Sequence, residues 1–195
     1  MLSELVKKYK IILASQSPRR QQLIKELGLD FEVIPVDIEE SYPAKLKKKD
    51  IAIYISELKA KSFDFDKLCK NCLIITADTI VLQDGQILPK PKDFNDAVRI
   101  LQTLSGNVHE VITGVSLRTK NKLKSFHSIT KVYFKNLTPE EIHYYIEHYK
   151  PYDKAGAYGI QEWIGYIGIE RIEGSYFNVV GLPVQRLYSE LLNFL

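Results

Sequence analysis

Short apolar runs alternate along the chain with segments in which apolar residues recur at helical spacing. Ile11–Ser15 predicts a buried strand, and the Ser17-Pro18 pair after it is typical of a helix start, with serine as N-cap and proline at the first helical position. An apolar stripe then runs to Gly28, a residue type that commonly ends helices. The N-terminal part of the chain therefore predicts a strand, a tight loop and a helix.

The same alternation continues to the C terminus. Further strands are predicted at Phe31–Ile38, Leu73–Leu82, Gln86–Leu88, Val111–Leu117 and Ser128–Phe134, and between turns near Glu173 and Pro183. Further helices are predicted at about 51–62, 95–104, 138–149 and 184–194. The Asp84-Gly85 pair predicts a hairpin, and a polar turn predicts a second antiparallel pair later on. We therefore expect an α/β fold, a mixed twisted β-sheet flanked by helices.

Two arginines fall in the first turn of the first predicted helix, within Ser15-Gln16-Ser17-Pro18-Arg19-Arg20. Cations are unfavourable there because the helix dipole is positive at its N terminus. A bound polyphosphate would reverse that sign, since helix N–H groups, the Ser15 hydroxyl and the guanidinium groups of Arg19 and Arg20 would meet on one anion. An ordinary N-cap followed by two exposed arginines explains this segment equally well.

A carboxylate interrupts the most apolar predicted strand, in Ala77-Asp78-Thr79. Burying a carboxylate costs free energy unless a partner compensates it. A divalent metal, or a water awaiting deprotonation, would each give Asp78 such a reason. A buried ion pair remains an equal alternative.

Three further charged segments are candidates for the same site. Lys59 lies at helical spacing from the apolar face of its predicted helix and is a candidate to enter a cleft, or else to extend to solvent. Lys90 precedes a proline, which restricts it to an extended backbone, although an ordinary surface loop is the alternative. Glu39 and Glu40 are candidate metal ligands, or a solvated acidic turn.

Small residues surround an amide in the segment Asp153–Gln161. Glycine and alanine allow a ligand to approach the backbone, and the amide of Gln161 both donates and accepts hydrogen bonds. This combination is suited to reading a nucleobase edge. A structural glycine-bearing loop is the competing interpretation.

Composition narrows the function classes. The 195 residues are 45% hydrophobic, enough to fill the core of a single domain spanning 1–195, and the net charge of +3 is too small to indicate nucleic-acid binding. The twelve tyrosines fall mostly on predicted core faces, which argues against stacking on single strands.

Targeting and cysteine chemistry add little. The first ten residues lack a leader pattern, and no apolar run is long enough to span a membrane, so we expect neither export nor membrane insertion. Cys69 and Cys72 have no second cysteine pair and no histidines at matching spacing. They predict two unpaired thiols and a reducing cytoplasm rather than a zinc site.

Six ordered segments together resemble the Maf family of nucleoside triphosphate pyrophosphatases, and the resemblance runs from about Ile11 to the C-terminal helix. They read S-Q-S-P-R-R, A-D-T-I-V, K-P-K-D, L-S-G-N-V-H, D-K-A-G-A-Y-G-I-Q and G-S-Y-F-N-V-V-G-L-P. The resemblance implies two lobes around a nucleotide cleft, as in inosine triphosphatase-like proteins, and a homodimer. It also implies that Asp78 is the catalytic base, with the phosphates surrounded by Ser15, Arg19, Arg20, Lys59 and Lys90.

Within that family, the combination of Arg19, Thr79 and Gln161 resembles that of the branch that acts on dTTP and UTP, rather than that of the branch that acts on 7-methyl-GTP. The implied products are the monophosphate and pyrophosphate, with Mg²⁺ or Mn²⁺ bridging the triphosphate and Glu39, Glu40 and Asp78 as its candidate ligands. The chain departs from the common pattern at Pro89 and at Glu162-Trp163-Ile164. A nucleotide-binding regulator of cell division or shape, with little turnover, is the alternative function.

Overall fold

The computed structural model describes Glu4 and residues 6–195 of the chain. The strands are β1 (Lys10–Leu13), β2 (Glu32–Val33), β3 (Cys72–Gln83), β4 (Gln86–Leu88), β5 (Val108–Arg118), β6 (Leu123–Phe134) and β7 (Ile169–Glu173). The helices are α1 (Pro18–Glu26), α2 (Lys48–Lys61), α3 (Phe94–Leu104), α4 (Pro139–Tyr149), α5 (Trp163–Gly168), α6 (Tyr176–Val180) and α7 (Val184–Phe194), with 3₁₀ turns at Pro151–Asp153 and Ala155–Ala157.

The seven strands form one mixed sheet. Its order is β2-β1-β3-β5-β6-β7, with β4 beside β3. Strand β1 pairs in parallel with β2 and β3, whereas the β3–β4 and β6–β7 pairs are antiparallel. Strands β5 and β6 are neighbours joined by a turn in which Thr119 N donates to Lys122 O, and so short a connection allows only antiparallel pairing. The predicted mixed α/β architecture is confirmed.

The chain folds into two compact units, and three of the boundaries between them fall within the strands β3, β5 and β6. The first comprises Met1–Asp78, Thr113–Ser128 and Gly181–Leu195, and the second comprises Thr79–Ile112 and Ile129–Val180. The predicted arrangement of one domain with two lobes around a cleft stays a prediction.

In the first unit, α2 packs on β5 at backbone contact distance. A Cβ on Gly114 would lie 2.3 Å from the carbonyl carbon of Ala52, so only glycine allows this approach. The buried hydroxyls at this interface are satisfied internally: Thr76 Oγ1 donates to Ser56 O over 2.6 Å, and the Ser56 and Ser116 hydroxyls lie 2.8 Å apart. These contacts hold α2 against the strands β3 and β5.

The second unit is built around buried polar groups as well as apolar ones. Asn178 on α6 donates from Nδ2 to Val111 O and to Thr130 Oγ1, both at 3.0 Å, and so joins α6 to two strands. His109 is buried, with Nε2 2.8 Å from the Tyr158 hydroxyl and its ring stacked on Phe134. Burial lowers the pKa of His109 to about 3, so the folded protein holds a neutral imidazole.

Two predicted strands are wrong. Only Glu32–Val33 pairs within the predicted strand Phe31–Ile38, because this is an edge strand and Pro35 cannot donate a ladder hydrogen bond. The strand predicted between Glu173 and Pro183 is the helix α6, since Asn178 N donates to Ser175 Oγ and its side chain bonds to neighbouring strands. Helix α5 and strand β7 were not predicted. The predicted starts of α1 and α4, with their serine and threonine caps, are confirmed.

The predicted free thiols and buried tyrosines are also wrong. Cys69 and Cys72 form a disulfide, with Cα atoms 5.5 Å apart, within the range that a disulfide spans. Tyr145 and Tyr158 are buried, whereas the exposed tyrosines are Tyr42, Tyr144, Tyr149, Tyr152, Tyr166, Tyr176 and Tyr188. The tyrosine positions therefore give no argument against nucleic-acid binding.

Among the described residues, none of the helices has the length and apolar character needed to cross a membrane. The leader prediction falls partly on Met1, Leu2, Ser3 and Leu5, which lie outside the described residues.

The buried neutral His109 predicts a pH-dependent stability. Its folded pKa of about 3 lies below the ordinary 6.5, so the unfolded chain binds a proton that the folded chain does not. This contribution is complete above pH 6.5 and is lost as the pH falls towards 3, at up to about 1.4 kcal/mol per pH unit. Between pH 6.5 and 5, the free energy of unfolding measured in urea should fall less steeply with decreasing pH for His109→Phe than for wild type.

Tyr158→Phe is the matched control, because it removes the hydroxyl that contacts His109 but keeps the titrating imidazole. It should retain the wild-type slope. Identical slopes for His109→Phe and wild type would show that His109 is not the group responsible.

Candidate active site

Asp78, the last residue of the first unit, is the centre of a charged cluster on β3. Its carboxylate is buried, and Lys59 Nζ on α2 lies 2.8 Å from Oδ1. The same ammonium lies 2.7 Å from Glu40 Oε1. Only 12% of the Lys59 side chain is exposed, so of the two alternatives left open by the sequence, extension to solvent is wrong, whereas the role of Lys59 at a substrate stays a prediction. The strand carboxylate thus has the partner that its burial requires.

The arginines at the start of α1 lie beside this cluster. Arg20 Nη1 donates to Ala77 O over 2.9 Å, and Nε donates to Gly181 O over 2.9 Å. Burial lowers the pKa of Arg20, while the charges of Asp78 and Glu40 partly offset that effect and the charge of Arg19 adds to it. Two cations, Arg20 and Lys59, therefore lie beside two carboxylates, and Arg19 adds a third positive charge next to Arg20.

The loop between β1 and α1 presents hydroxyl and amide groups next to these cations. Ser15 is buried, and its Oγ accepts from Ser17 N over 3.3 Å and from Arg20 Nη1 over 3.4 Å. Ser17 caps α1 by accepting from Arg20 N, with Pro18 following it. An N-terminal helix turn and an excess of cations provide a favourable site for an anion.

Two of the three candidate metal ligands lie together. Glu40 and Asp78 are close to each other, since one carboxylate oxygen of each contacts Lys59 Nζ. This donor set fits Mg²⁺, which binds through one or two carboxylates and completes its octahedron with substrate phosphates and water. Glu39 is exposed and makes no polar contact with any other residue of 4 and 6–195, so its metal role stays a prediction. Within the same residues, no group of three carboxylate, imidazole or thiol side chains is placed to hold a metal.

The second unit carries the other predicted site residues. Thr79 follows Asp78 directly on β3 and is half-buried, Lys90 is exposed after β4, and Gln161 is exposed just before α5. Their predicted roles at the phosphates and the base stay predictions.

A buried hydrogen-bond network, which sequence reasoning missed, holds the loop that carries Gln161. Tyr145 on α4 accepts from Gly159 N over 3.0 Å and donates to the Glu162 carboxylate. Lys154 Nζ lies 3.1 Å from Glu162 Oε1 and 2.6 Å from Asp153 Oδ1. Burial and the Glu162 charge raise the pKa of Tyr145, so its hydroxyl remains a donor. Gln161 is thus exposed between residues that are fixed on both sides.

The profile of the family described as "Maf-like protein" matches residues 10–194. The chain belongs to this family. Among curated proteins, it is 53% identical to the dTTP/UTP pyrophosphatase of Flavobacterium psychrophilum, over 99% of this chain and 98% of that protein. It is 54% identical to the dTTP/UTP pyrophosphatase of Phocaeicola vulgatus, over 96% and 97% of the two chains.

The Ham1 protein of Staphylococcus aureus, a solved structure, has a TM-score of 0.44 and 20% identity over 64% of this chain and 71% of that one. This likeness is too weak to carry an argument. The Maf-like family match instead covers both units, including the network around Glu162. Charged residues at 153, 154 and 162 in the sequence were the available signal for that network.

The network predicts that Lys154 is essential to the stability of the second unit. Lys154→Met would leave the Glu162 carboxylate facing a buried hydroxyl without its cation, and should lower the free energy of unfolding by about 3 kcal/mol. Urea unfolding followed by fluorescence of Trp163, the single tryptophan, would measure it.

Lys135→Met offers a matched control in the same unit, because the Lys135–Glu141 ion pair is more exposed. It should cost less than about 1 kcal/mol. Equal losses in the two variants would mean that the Lys154 network has no special part in holding the loop.

Proposed function

We propose that this protein hydrolyses dTTP and UTP to the nucleoside monophosphate and pyrophosphate. The supporting observation is the ionic cluster on β3, in which the buried Asp78 is held by Lys59 beside the basic start of α1. Full-length relatives with about half their residues identical carry the name dTTP/UTP pyrophosphatase. The cluster supplies what such a reaction requires, an oriented carboxylate and cations for a polyanion.

In the proposed mechanism, water attacks the α-phosphorus in line while Asp78 takes its proton. A bond forms between the water oxygen and the α-phosphorus, and the bond from that phosphorus to the oxygen bridging to the β-phosphorus breaks. Pyrophosphate leaves with the bridging oxygen. Lys59 bonds Oδ1 of Asp78, so we assign Oδ2 as the atom that accepts the proton. Most of the rate enhancement in such reactions comes from positioning and charge stabilisation.

Cations stabilise the negative charge that develops on the phosphates. We assign Arg19, the hydroxyl of Ser15 and Lys90 to phosphate oxygens, and Thr79 and Gln161 to the pyrimidine. A divalent cation, Mg²⁺ or Mn²⁺, would be held by Glu40 and Asp78 together with the triphosphate and would neutralise phosphate charge. The proximity of these two carboxylates, both of which contact Lys59, supports that donor set.

A homodimer and a cytoplasmic location are further proposals. The dimer is supported by the family resemblance and would be measured by light scattering of the purified chain. The substrate class supports the cytoplasmic location. The Cys69–Cys72 disulfide argues against it, because disulfides are uncommon in cytoplasmic proteins.

Asp78→Asn tests the catalytic base. The amide keeps the shape of the carboxylate but cannot accept the proton, so pyrophosphate release from dTTP should fall by about 100-fold or more. Asp30→Asn, an exposed change of the same chemistry, should retain wild-type release. Wild-type turnover by Asp78→Asn would remove Asp78 from this role.

Gln161→Ala tests base recognition. We expect kcat/KM for dTTP and UTP to fall by about tenfold or more relative to ATP, GTP and CTP, because an unpaired base edge loses its discriminating hydrogen bonds. Gln102→Ala on the exposed face of α3 is the control. An unchanged preference across the five triphosphates would contradict the assignment.

A further inference from the structure

The carbonyl of Ala77 lies at the point where the sheet loses its strand β1. Ala14 N donates to Ile75 O over 2.9 Å, one residue past the paired Leu13 and Ile75. Carbonyls two residues apart on a strand face the same edge, so that of Ala77 faces the edge that β1 leaves. The chain departs there through Ser15 towards α1. A polar group at such a position needs another partner.

Arg20 provides that partner. Its Nη1 lies 2.9 Å from Ala77 O, in the place of the next ladder donor. The Nε of the same guanidinium donates to Gly181 O over 2.9 Å, at the start of the segment that leads to α7. The rigid fork of donors thereby joins three chain segments: the start of α1, the end of the first unit's part of β3, and residue 181.

The peptide group that Arg20 contacts is the one that carries Asp78. A peptide unit is planar and includes the α-carbon of the following residue, so fixing Ala77 O also fixes the α-carbon of Asp78. Lys59 holds the carboxylate at the other end of the residue. The backbone and the side chain of Asp78 are therefore restrained by two different cations.

We infer that Arg20 is a positioning residue that extends the β1–β3 ladder and aligns Asp78, rather than a ligand of the triphosphate. This inference rests on the proposed function, which assigns Asp78 as the base. It changes the role that the family resemblance implies for Arg20 and leaves Arg19 as the phosphate-binding arginine of α1. The Nε and Nη1 of Arg20 each donate to a backbone carbonyl over 2.9 Å, and the contact of Nη1 with Ser15 Oγ is longer, at 3.4 Å.

The test compares Arg20→Lys and Arg20→Met in the full chain. Lysine keeps the charge but lacks the rigid fork, so both variants should lose kcat for dTTP by about 100-fold, the cost of misplacing a reacting group by roughly 1 Å. The Kd for α,β-methylene-dTTP with Mg²⁺ should stay within about threefold of wild type. Hydrogen exchange of residues 75–80 in the ligand-free protein should be faster in both variants, because their peptide restraint is lost.

A phosphate ligand would behave differently. Loss of a charge-assisted hydrogen bond would raise the Kd of the analogue by about tenfold or more and leave hydrogen exchange unchanged. That result, or a wild-type kcat in Arg20→Lys, would overturn the inference. Arg19→Met supplies the contrast with raised Kd, and Arg99→Met, at an exposed arginine of α3, should leave both constants unchanged.

Two readouts separate this inference from the proposed function. Circular dichroism establishes that each variant folds, and if Arg20→Met does not fold, Arg20→Lys still decides the question. If the wild-type chain did not cleave dTTP, the proposed function would fail, whereas the exchange of residues 75–80 would still show whether Arg20 restrains β3. Unchanged exchange in a folded Arg20→Lys would overturn the restraint itself.

Discussion

Two polar groups on β3, the carbonyl of Ala77 and the carboxylate of Asp78, impose the main constraint on the first unit. Strand β3 continues beyond its neighbour β1 at this point, so both groups need hydrogen-bonding partners from elsewhere in the chain. The carboxylate is paired with Lys59 at 2.8 Å, and the carbonyl is paired with Arg20 at 2.9 Å. Both partners come from helices, α2 and α1, whose positions are fixed independently by close packing of Gly114 on Ala52 and by the cap at Ser17. The charged group inside the sheet is thus held by cations that the helices carry.

The sequence predicted only in part which groups Lys59 and Arg20 contact. The position of Lys59 at helical spacing from apolar residues made it a candidate to extend inward, but left extension to solvent open. For Arg20, the sequence shows a cation at a helix N terminus, which indicates either an anion ligand or an exposed arginine after an ordinary N-cap. What it cannot show is that the carbonyl of Gly181, 161 residues away, lies within 2.9 Å of Nε. Whether an arginine faces a ligand or the backbone is decided by such distant groups.

The same distinction explains the fold. Helix starts at Ser17 and Thr138 were predictable because caps are local, with donor and acceptor three residues apart. Strand extent was not local: β2 is short because it lies at the edge of the sheet and meets Pro35, a matter of neighbours rather than propensity. Helix α6 replaced a predicted strand because the buried amide of Asn178 bonds to β5 and β6, and tertiary bonding of this kind overrides β propensity.

The loop around Gln161 shows how a charged side chain is accommodated beside closely packed backbone. Glu162 brings a carboxylate to this segment, and a Cβ on Gly159 would lie 2.7 Å from its carboxyl carbon. The charge is accommodated because residue 159 has no side chain, Lys154 supplies a cation and Tyr145 supplies a proton donor. Glycine allows the backbone of a loop to approach its neighbours closely, but it leaves the chain more conformational freedom to lose on folding. This loop keeps the close approach at Gly159, and the ion pair between Lys154 and Glu162 restricts the loop's conformation. The exposed amide of Gln161 is accordingly presented from a rigid support in the second unit.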